Sequence, residues 1–537
     1  MVEQGGSTVA IDFGTTTSFV ARRTGSGPAM VVPLSPGTPW LSSVAALKGN
    51  DLVVGDEDGF PAEQLVRSVK RAITERWQTI PVGPPDSGVE VEVDEVIAAI
   101  FTEIRKRAGN SLNGGEIRLG CPAMWDGAQR KRLIRIAKSV GLSVTDATLI
   151  DEPVAAGLAW IADHQLTGDD PISGRVLVFD MGGGTLDVAV LDIASESVKE
   201  VSVLSSRGNP LAGDQLDEAI TADLIGEIEG AGVDFAALRQ PAQARALIAR
   251  MARETKIALS TQELHTLVLP MLVFGRYVEI DYTRQRVETA FHPLMVQAEK
   301  LVEEALVEAQ LKERFRDVPG FLPRVTTNDL DYIMLVGGMS QIPYVRQRLA
   351  ARFPEVAFVR REQADPVEAV AKGLTDNTGY EHINLHRPAF DFVLEWDGGS
   401  QRRLLYEAYT PLYREWQAAS GRARLNYERR GRGMRLPRQG RGHLRVVSPS
   451  GKPVRLAVDG AAIDKLPVRF GLHELVFKIY CDGQLLLTDG TGKQTAMRVD
   501  RWPIIKNRDD ASLELKKLKR KPMDAPPIWF VGNGAQA

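Results

Sequence analysis

The sequence contains very little cysteine and no long apolar run. Its 537 residues include only two cysteines, Cys121 and Cys481, which lie far apart in the chain. So few cysteines exclude a disulfide framework and favour a reducing compartment. No segment approaches the roughly 18 consecutive apolar residues that cross a bilayer. The start, MVEQGGSTVAIDFG, lacks the charged and apolar regions of a signal peptide. We therefore expect a cytoplasmic protein with no membrane partner.

Charge is distributed unevenly along the chain. The net charge of −3 divides into −14 for residues 1–379 and +11 for residues 380–537. A hydrophobic content of 44% and a charged content of 25% are typical of globular proteins. At ~150 residues per domain, the length allows about two to four domains. The charge difference indicates two regions with different partners.

An internal repeat is the most informative feature. VAIDFGTTTSFVA (9–21) matches LVFDMGGGTLDVA (177–189) when Asp12 is set over Asp180. Each copy reads as an apolar strand, an aspartate, a Gly/Thr turn and a second strand. Mixed helix and strand patterns follow both copies, so we predict an α/β fold with two related halves.

The two turns have the composition of a phosphate site. Three consecutive glycines are more than a hairpin turn needs. Bare backbone lets successive N–H groups point into one concavity, where they bind phosphate oxygens. Carboxylates would repel phosphate, so Asp12 and Asp180 indicate an intervening cation such as hydrated Mg²⁺. Either turn alone is as readily structural, but the repeat favours a polyphosphate held from both sides of a cleft.

These stretches, with LVGGMS (335–340), resemble the nucleotide-binding domain of the seventy-kilodalton heat-shock chaperones. LIDEPVAAGLAW and RETKIALS are also similar to segments of that family. The resemblance covers residues 8–379 and implies a two-lobed, actin-like ATPase domain with duplicated ribonuclease-H-like halves over 1–379. It further implies ATP or ADP and Mg²⁺ as cofactors.

The resemblance also implies roles for individual residues. Catalytic roles are implied for Lys70, Glu152, Asp12, Asp180 and Thr185. Asp12 and Asp180 are further implied to hold the metal through water. Phosphate-end contacts are implied for Gly14, Thr15, Thr16, Thr17, Gly182, Gly183, Gly184 and Asp187. Ribose and adenine contacts are implied for Lys256, Ser260, Gly337, Gly338 and Gln341. Pro122 and Arg130 match the residues that transmit nucleotide state to the family's second domain. Phosphoryl transfer depends mainly on positioning and electrostatics, which such a set supplies.

Several positions depart from the family pattern. Gln341 replaces the arginine that usually stacks on adenine, and Ile257 replaces a second arginine of some members. Val367 stands where the family has an aspartate. Residues 380–390, YEHINLHRPAF, lack the family's acidic, leucine-rich linker.

Residues 391–537 are predicted to form a divergent β-rich domain, because short apolar runs alternate with Gly, Pro and Asp. Residues 421–445 contain nine arginines from Arg422 to Arg445, which we read as a long loop or disordered insert. Further along the chain, residues 516–521 form a second basic segment, the tail KKLKRK. The arginines suit the phosphates of a nucleic acid. Alternatively, they form a solvated basic loop, or they contact an acidic protein such as the acidic first region of this chain.

The sequence thus predicts an ATP-hydrolysing, heat-shock-chaperone-like protein whose nucleotide cycle controls the C-terminal domain. Expected partners are unfolded client proteins, with a co-chaperone or exchange factor. The alternative is a nucleotide-dependent scaffold with little turnover that recruits a protein or nucleic acid. A small-molecule kinase on the shared fold is disfavoured by the chaperone-like segment around Glu152.

Overall fold

A computed structural model describes most of the chain. It covers residues 6–55, 60–83, 88–167, 173–193, 200–210, 212–314, 330–360, 365–376, 381–412, 426–480, 483–503 and 511–522. Two α/β lobes and a β-rich region, defined here as the described part of 391–522, follow one another along the chain. No helix within these ranges is long and apolar enough to cross a membrane.

The first lobe has a six-stranded main sheet and further strands outside it. Its strands are β1 (Ser7–Phe13), β2 (Thr17–Thr24), β3 (Met30–Val32), β4 (Leu41–Ser42), β5 (Ala45–Lys48), β6 (Asp51–Val54), β7 (Leu65–Val66), β8 (Thr79–Val82), β9 (Val89–Glu92), β10 (Gly115–Cys121) and β11 (Leu149–Asp151). Its helices are α1 (Val69–Thr74), α2 (Val93–Ala108), α3 (Gly127–Ser139) and α4 (Glu152–Thr167). The sheet has the order β11-β10-β1-β2-β3, and β4 also pairs with β2. Apolar residues on one face of α2, such as Ile97, Ile100 and Ile104, are fully buried.

The second lobe repeats this plan. Its strands are β12 (Gly174–Met181), β13 (Leu186–Ile193), β14 (Glu200–Asn209), β15 (Leu264–Leu269), β16 (Val278–Thr283), β17 (Tyr332–Val336), β18 (Ala357–Phe358) and β19 (Glu381–Asn384). Its helices are α5 (Gly213–Gly230), α6 (Pro241–Ala258), α7 (Met271–Phe274), α8 (Arg284–Arg314), α9 (Pro343–Arg352) and α10 (Ala369–Leu374). The main sheet has the order β18-β17-β12-β13-β14-β19.

Matching strand pairs confirm the predicted duplicated α/β fold. β1 pairs antiparallel with β2 and parallel with β10, and β12 pairs antiparallel with β13 and parallel with β17. Asp12 and Asp180 occupy equivalent positions near the ends of β1 and β12. One buried core includes residues of both sheets and of α4 and α10. Gly373 of α10 packs so closely that a Cβ there would lie 1.6 Å from the carbonyl oxygen of Ala155.

The segment between the lobes and the β-rich region is not a free linker. β19 pairs in parallel with β14, from Glu200 opposite Glu381 to Val203 opposite Asn384. Backbone hydrogen bonds are available to any sequence, so this segment joins the sheet without a leucine-rich composition.

The C-terminal part is β-rich, as predicted. Its strands are β20 (Asp391–Trp396), β21 (Gln401–Tyr406), β22 (Asn426–Arg430), β23 (Gly440–Val447), β24 (Arg455–Val458), β25 (Ala461–Ile463), β26 (Leu466–Phe470), β27 (Val476–Tyr480), β28 (Gln484–Thr488), β29 (Gln494–Arg501) and β30 (Ser512–Lys517). They form a four-stranded sheet, β21-β20-β23-β26, and a seven-stranded sheet, β22-β27-β28-β29-β30-β24-β25. Residues of both sheets share one core, in which the rings of Phe392 and Phe477 lie 4.9 Å apart. Within the ranges described after residue 381, no residue lies in an α-helix.

The expectation of a loop or disordered insert at the arginine-rich segment is wrong for residues 426–445. They form β22, a turn and β23, and Met434 between the strands is buried in the core. Arg430 pairs with Glu428 at 2.6 Å and with Glu474 at 3.3 Å. Alternate residues of β23 are buried, which anchors this basic strand in the sheet. Residues 421–425 lie outside the described ranges.

Candidate active site

The two Gly/Thr turns, one from each lobe, lie close together. A Cβ on Gly183 would lie 2.1 Å from Oγ1 of Thr16, and one on Gly184 would lie 2.5 Å from Cγ2 of Thr15. Within the first turn, a Cβ on Gly14 would lie 2.2 Å from the carbonyl oxygen of Thr17. No side chain fits at these three glycines, so the turns approach through bare backbone.

A buried ion pair lies beside the turns. Nζ of Lys70 is 2.6 Å from Oε1 of Glu152, and the two side chains are only 3% and 7% exposed. Lys70 lies in α1, and Glu152 begins α4 directly after β11. The sequence separates these residues by 82 positions, and the sheet brings them together. Charged groups this deeply buried are retained only when they are paired.

Three further carboxylates surround this pair. Burial, and then the charge of Glu152, raises the pKa of Asp12 to about 7, although Lys70 opposes the shift. The same two causes raise the pKa of Asp187 to about 7, against Lys70 and a hydrogen bond with Thr185. Burial and the neighbouring carboxylates hold the pKa of Asp180 well above its usual value. Four carboxylates thus surround one lysine, an excess of negative charge that a divalent cation would relieve.

This donor set fits a hydrated Mg²⁺. Among the described residues, no three His, Cys, Asp or Glu side chains are grouped so that they can hold a metal directly. Mg²⁺ retains several waters and uses one or two carboxylates. Asp12 and Asp180, which are partly exposed at the ends of their strands, would hold it through those waters.

Residues expected on the ribose and adenine side connect to the glycine turn through α5. Nζ of Lys256 lies 2.7 Å from Oδ1 of Asp217 and 3.4 Å from the carbonyl oxygen of Gly213. The amide of Gly213 donates to the carbonyl oxygen of Gly182 at 3.2 Å. Ser260 donates its hydroxyl to the carbonyl of Lys256, at 3.1 Å. Lys256 is thus linked through Gly213 to the second Gly/Thr turn.

The third glycine stretch packs on the end of β12. Gly337 has φ +83°, and a Cβ there would lie 2.4 Å from the carbonyl oxygen of Met181. A Cβ on Gly338 would meet nothing within 4 Å, and Gln341 is only partly buried. Ile257 is 63% exposed. Neither Gln341 nor Ile257 supplies the arginine that the resemblance implies beside adenine.

Sequence reasoning missed a contact that joins the two lobes. Oγ of Ser68 donates to Oδ2 of Asp214 at 2.6 Å, across 146 positions of sequence. Ser68 has φ +52°, a left-handed conformation that is strained for a residue other than glycine. The amide of Asp214 also donates to the carbonyl of Gly183 at 2.7 Å. The only feature of the sequence that could have indicated this contact is Asp214 itself, an acidic residue in the first turn of α5.

Arg130 and Asp151 lie between the site and the β-rich region. Nη2 of Arg130 is 2.5 Å from Oδ1 of Asp151, the neighbour of Glu152. Oδ2 of Asp151 accepts from Nδ2 of Asn384 at 3.1 Å. Nε of Arg130 donates to the carbonyl of Trp125, whose amide donates to the carbonyl of Pro122. Pro122 and Arg130 are thus joined by hydrogen bonds through Trp125.

Comparison with known proteins identifies the family. The family model described as Hsp70 protein matches residues 8–379. The chain belongs to the Hsp70 family. This agrees with the resemblance noted in the sequence, and with the two-lobed α/β part and β-rich region of the structure.

Relatives named chaperone protein DnaK match about seven tenths of the chain. The chaperone protein DnaK of Thermotoga maritima is 30% identical over 387 residues, which are 70% of this chain and 59% of the relative. DnaK of Thermus thermophilus is 30% identical over 406 residues, covering 69% of this chain and 60% of the relative. DnaK of Thermosipho melanesiensis is 29% identical over 378 residues, covering 68% and 58% respectively. The matched part of the chain spans about three fifths of the length of these relatives.

Proposed function

We propose that the chain is an Hsp70-like chaperone that binds ATP with Mg²⁺ and hydrolyses it. Residues 1–379 form the ATPase domain, 380–390 the connection and 391–537 the domain that the nucleotide controls. The observation that carries the proposal is the pair of Gly/Thr turns that meet beside the buried Lys70–Glu152 pair. Membership of the Hsp70 family supports it.

Different residues of the site have different roles in the proposed reaction. Backbone N–H groups of Gly182 to Gly184, with hydroxyls such as those of Thr15 and Thr185, hold the phosphates. Lys70 stabilises negative charge at the γ-phosphate end. Asp12 and Asp180 would hold Mg²⁺ through water, and the bound metal would supply charge that neutralises the phosphates. The carboxylates around Lys70 orient the attacking water and receive its proton.

Coupling to the β-rich region follows because Asp151 and Glu152 are consecutive residues. Glu152 contacts Lys70 in the site, and the adjacent Asp151 contacts Arg130 and Asn384. If hydrolysis displaces Glu152, Asp151 moves with it, and Asp151 is the residue that Asn384 of the connecting segment contacts. This supports control of an unfolded client protein by the nucleotide, with a co-chaperone or exchange factor as a further partner. A nucleic acid at Arg422–Arg445 and a cytoplasmic location stay predictions.

Calorimetry and single-turnover hydrolysis test the proposal. We expect retention of ATP and ADP that depends on Mg²⁺. Lys70→Ala is expected to reduce the hydrolysis rate about 100-fold or more, while affinity changes by only a few fold. Glu152→Gln, which keeps the side-chain shape, should slow hydrolysis as well. Lys106→Ala, at a lysine that is 75% exposed on α2, is the matched control.

The alternative scaffold function predicts a different result. If unmodified protein binds ATP but hydrolyses it no faster than Lys70→Ala, the nucleotide acts only as a clamp. Absence of Mg²⁺-dependent binding would contradict both functions. For the chaperone role, a permanently unfolded protein should stimulate turnover of the full chain. Lack of stimulation across several unfolded proteins would favour the scaffold.

A further inference from the structure

A cavity of about 510 Å³ lies between α3 and the β-rich region. Lys131, Arg135 and Lys138 of α3 line one wall, with Asp146 from the segment before β11. Lys452, from the segment between β23 and β24, lines the opposite wall. Cavities of roughly 300–1,000 Å³ are the usual size of small-molecule sites.

Positive charge dominates this cavity. Lys131 and Arg135 are already paired with carboxylates of the chain, at 3.1 Å in both cases. Lys138 and Lys452 make no ion pair with any residue in the described ranges. Two lysines from two different regions therefore face one space with their charges available to a ligand.

Asp146 is the one acidic residue among the described residues that line the cavity, beside four cationic side chains. Burial raises the pKa of Asp146, although Lys131, a hydrogen bond with Ser450, and Lys138 act to lower it. The remaining lining includes the apolar side chains of Ile134 and Val454. The cavity thus offers cations for the charged ends of a ligand and apolar surface for its carbon skeleton.

We infer that this cavity binds a small polyanion, a phosphate- or carboxylate-bearing molecule held between Lys138 and Lys452. Since the two lysines belong to different regions, the ligand links the first lobe to the β-rich region. A molecule of this kind would stabilise the docked arrangement by its binding free energy. The site is separate from the nucleotide cleft and does not depend on hydrolysis.

Calorimetric titration of the full chain with inorganic pyrophosphate or with citrate tests this inference. Mg²⁺ is omitted, so that the nucleotide site lacks the metal that retains a polyphosphate. We expect one binding site per chain for at least one of these anions. Preference for pyrophosphate or for citrate identifies phosphate or carboxylate as the ligand chemistry.

Variants assign the binding to the cavity. Lys138→Ala/Lys452→Ala should weaken binding about tenfold or more, the loss of two charge-assisted contacts. Lys300→Ala/Lys465→Ala removes the same charge at exposed lysines outside the cavity and should change affinity less than about twofold. Retention of ATP by the first double variant separates this site from the nucleotide site. No binding of either anion, or equal weakening in both double variants, would overturn the inference.

Discussion

The guanidinium carbon of Arg130 lies 3.9 Å from the centroid of the Tyr409 ring, so a buried arginine of the first lobe meets an aromatic side chain of the β-rich region. The same guanidinium pairs with Asp151, the residue before Glu152. Three side chains in direct contact therefore connect the neighbourhood of Glu152 to the β-rich region.

The ring of Tyr409 is expected to stabilise this contact in two ways, by a cation–π interaction with Arg130 and by the burial of its apolar surface. Tyr409→Ala should lower the free energy of unfolding by roughly 3 kcal/mol, since it removes a buried ring and a cation–π contact. Tyr409→Phe keeps the ring face and should cost less than about 1 kcal/mol. Chemical denaturation measures both values. Equal losses for the two variants would assign the stabilisation to the hydroxyl.

Asn384 is expected to hold the connecting segment in place. Its Nδ2 donates to Asp151 at 3.1 Å, and its Oδ1 accepts from the amides of His386 and Arg387 at 3.1 and 2.9 Å. Asn384→Ala removes all three bonds, each worth about 1 kcal/mol. Amides of β19 should then exchange hydrogen about 30-fold faster or more.

Two further variants sharpen the Asn384 prediction. Asn384→Asp keeps the oxygen acceptor but places a second carboxylate beside Asp151, so β19 should again exchange faster. Asn113→Ala, at an exposed asparagine of the first lobe, should leave exchange in β19 unchanged. Unaltered exchange in Asn384→Ala would mean that backbone pairing with β14 alone holds the segment.

Gly183 is expected to be indispensable for nucleotide binding. An added Cβ would lie 2.1 Å from Oγ1 of Thr16, so Gly183→Ala must displace the Thr16 side chain or one of the two turns. We expect the affinity for ADP with Mg²⁺ to fall about tenfold or more. Gly226→Ala is the control, because it meets nothing within 4 Å and lies in α5. It should stabilise the chain by up to about 1 kcal/mol.

Asp187 is expected to make the stability of the nucleotide-free chain depend on pH. Its pKa is raised to about 7 in the folded chain by burial and Glu152. The folded chain then binds more protons than the unfolded chain below that pH, so stability falls as pH rises through the interval up to about 7. Asp187→Asn should therefore stabilise the chain by on the order of 1–3 kcal/mol at pH 8 and by less at pH 5.5.

Thermal unfolding at the two pH values measures the effect of Asp187→Asn. Asp500→Asn, at a carboxylate that is 45% exposed in β29, serves as the control. The same gain at both pH values, or the same pH dependence in the control, would contradict the assignment to Asp187.

Local patterns in the sequence predicted some elements and misled at others. The apolar runs in the matched repeats predicted β1, β2, β12 and β13, because strand formation and turn chemistry depend on near neighbours. The arginine-rich composition suggested a loop, yet β23 pairs with β20 and β26. A composition rich in arginine does not reveal that alternate positions, such as Leu444 and Val446, are buried in a sandwich core.

The sequence by itself determined the duplicated Asp/Gly/Thr turns and the similarity to the Hsp70 family, because both depend on short stretches of consecutive residues. Only the tertiary structure decided which distant groups share the site. Ser68 meets Asp214 across 146 positions, and Asn384 meets Asp151 across 233. Such contacts depend on how the sheets and helices pack, and burial then sets the pKa values of Asp12 and Asp187. Neither packing nor burial can be read from the spacing of residues along the chain.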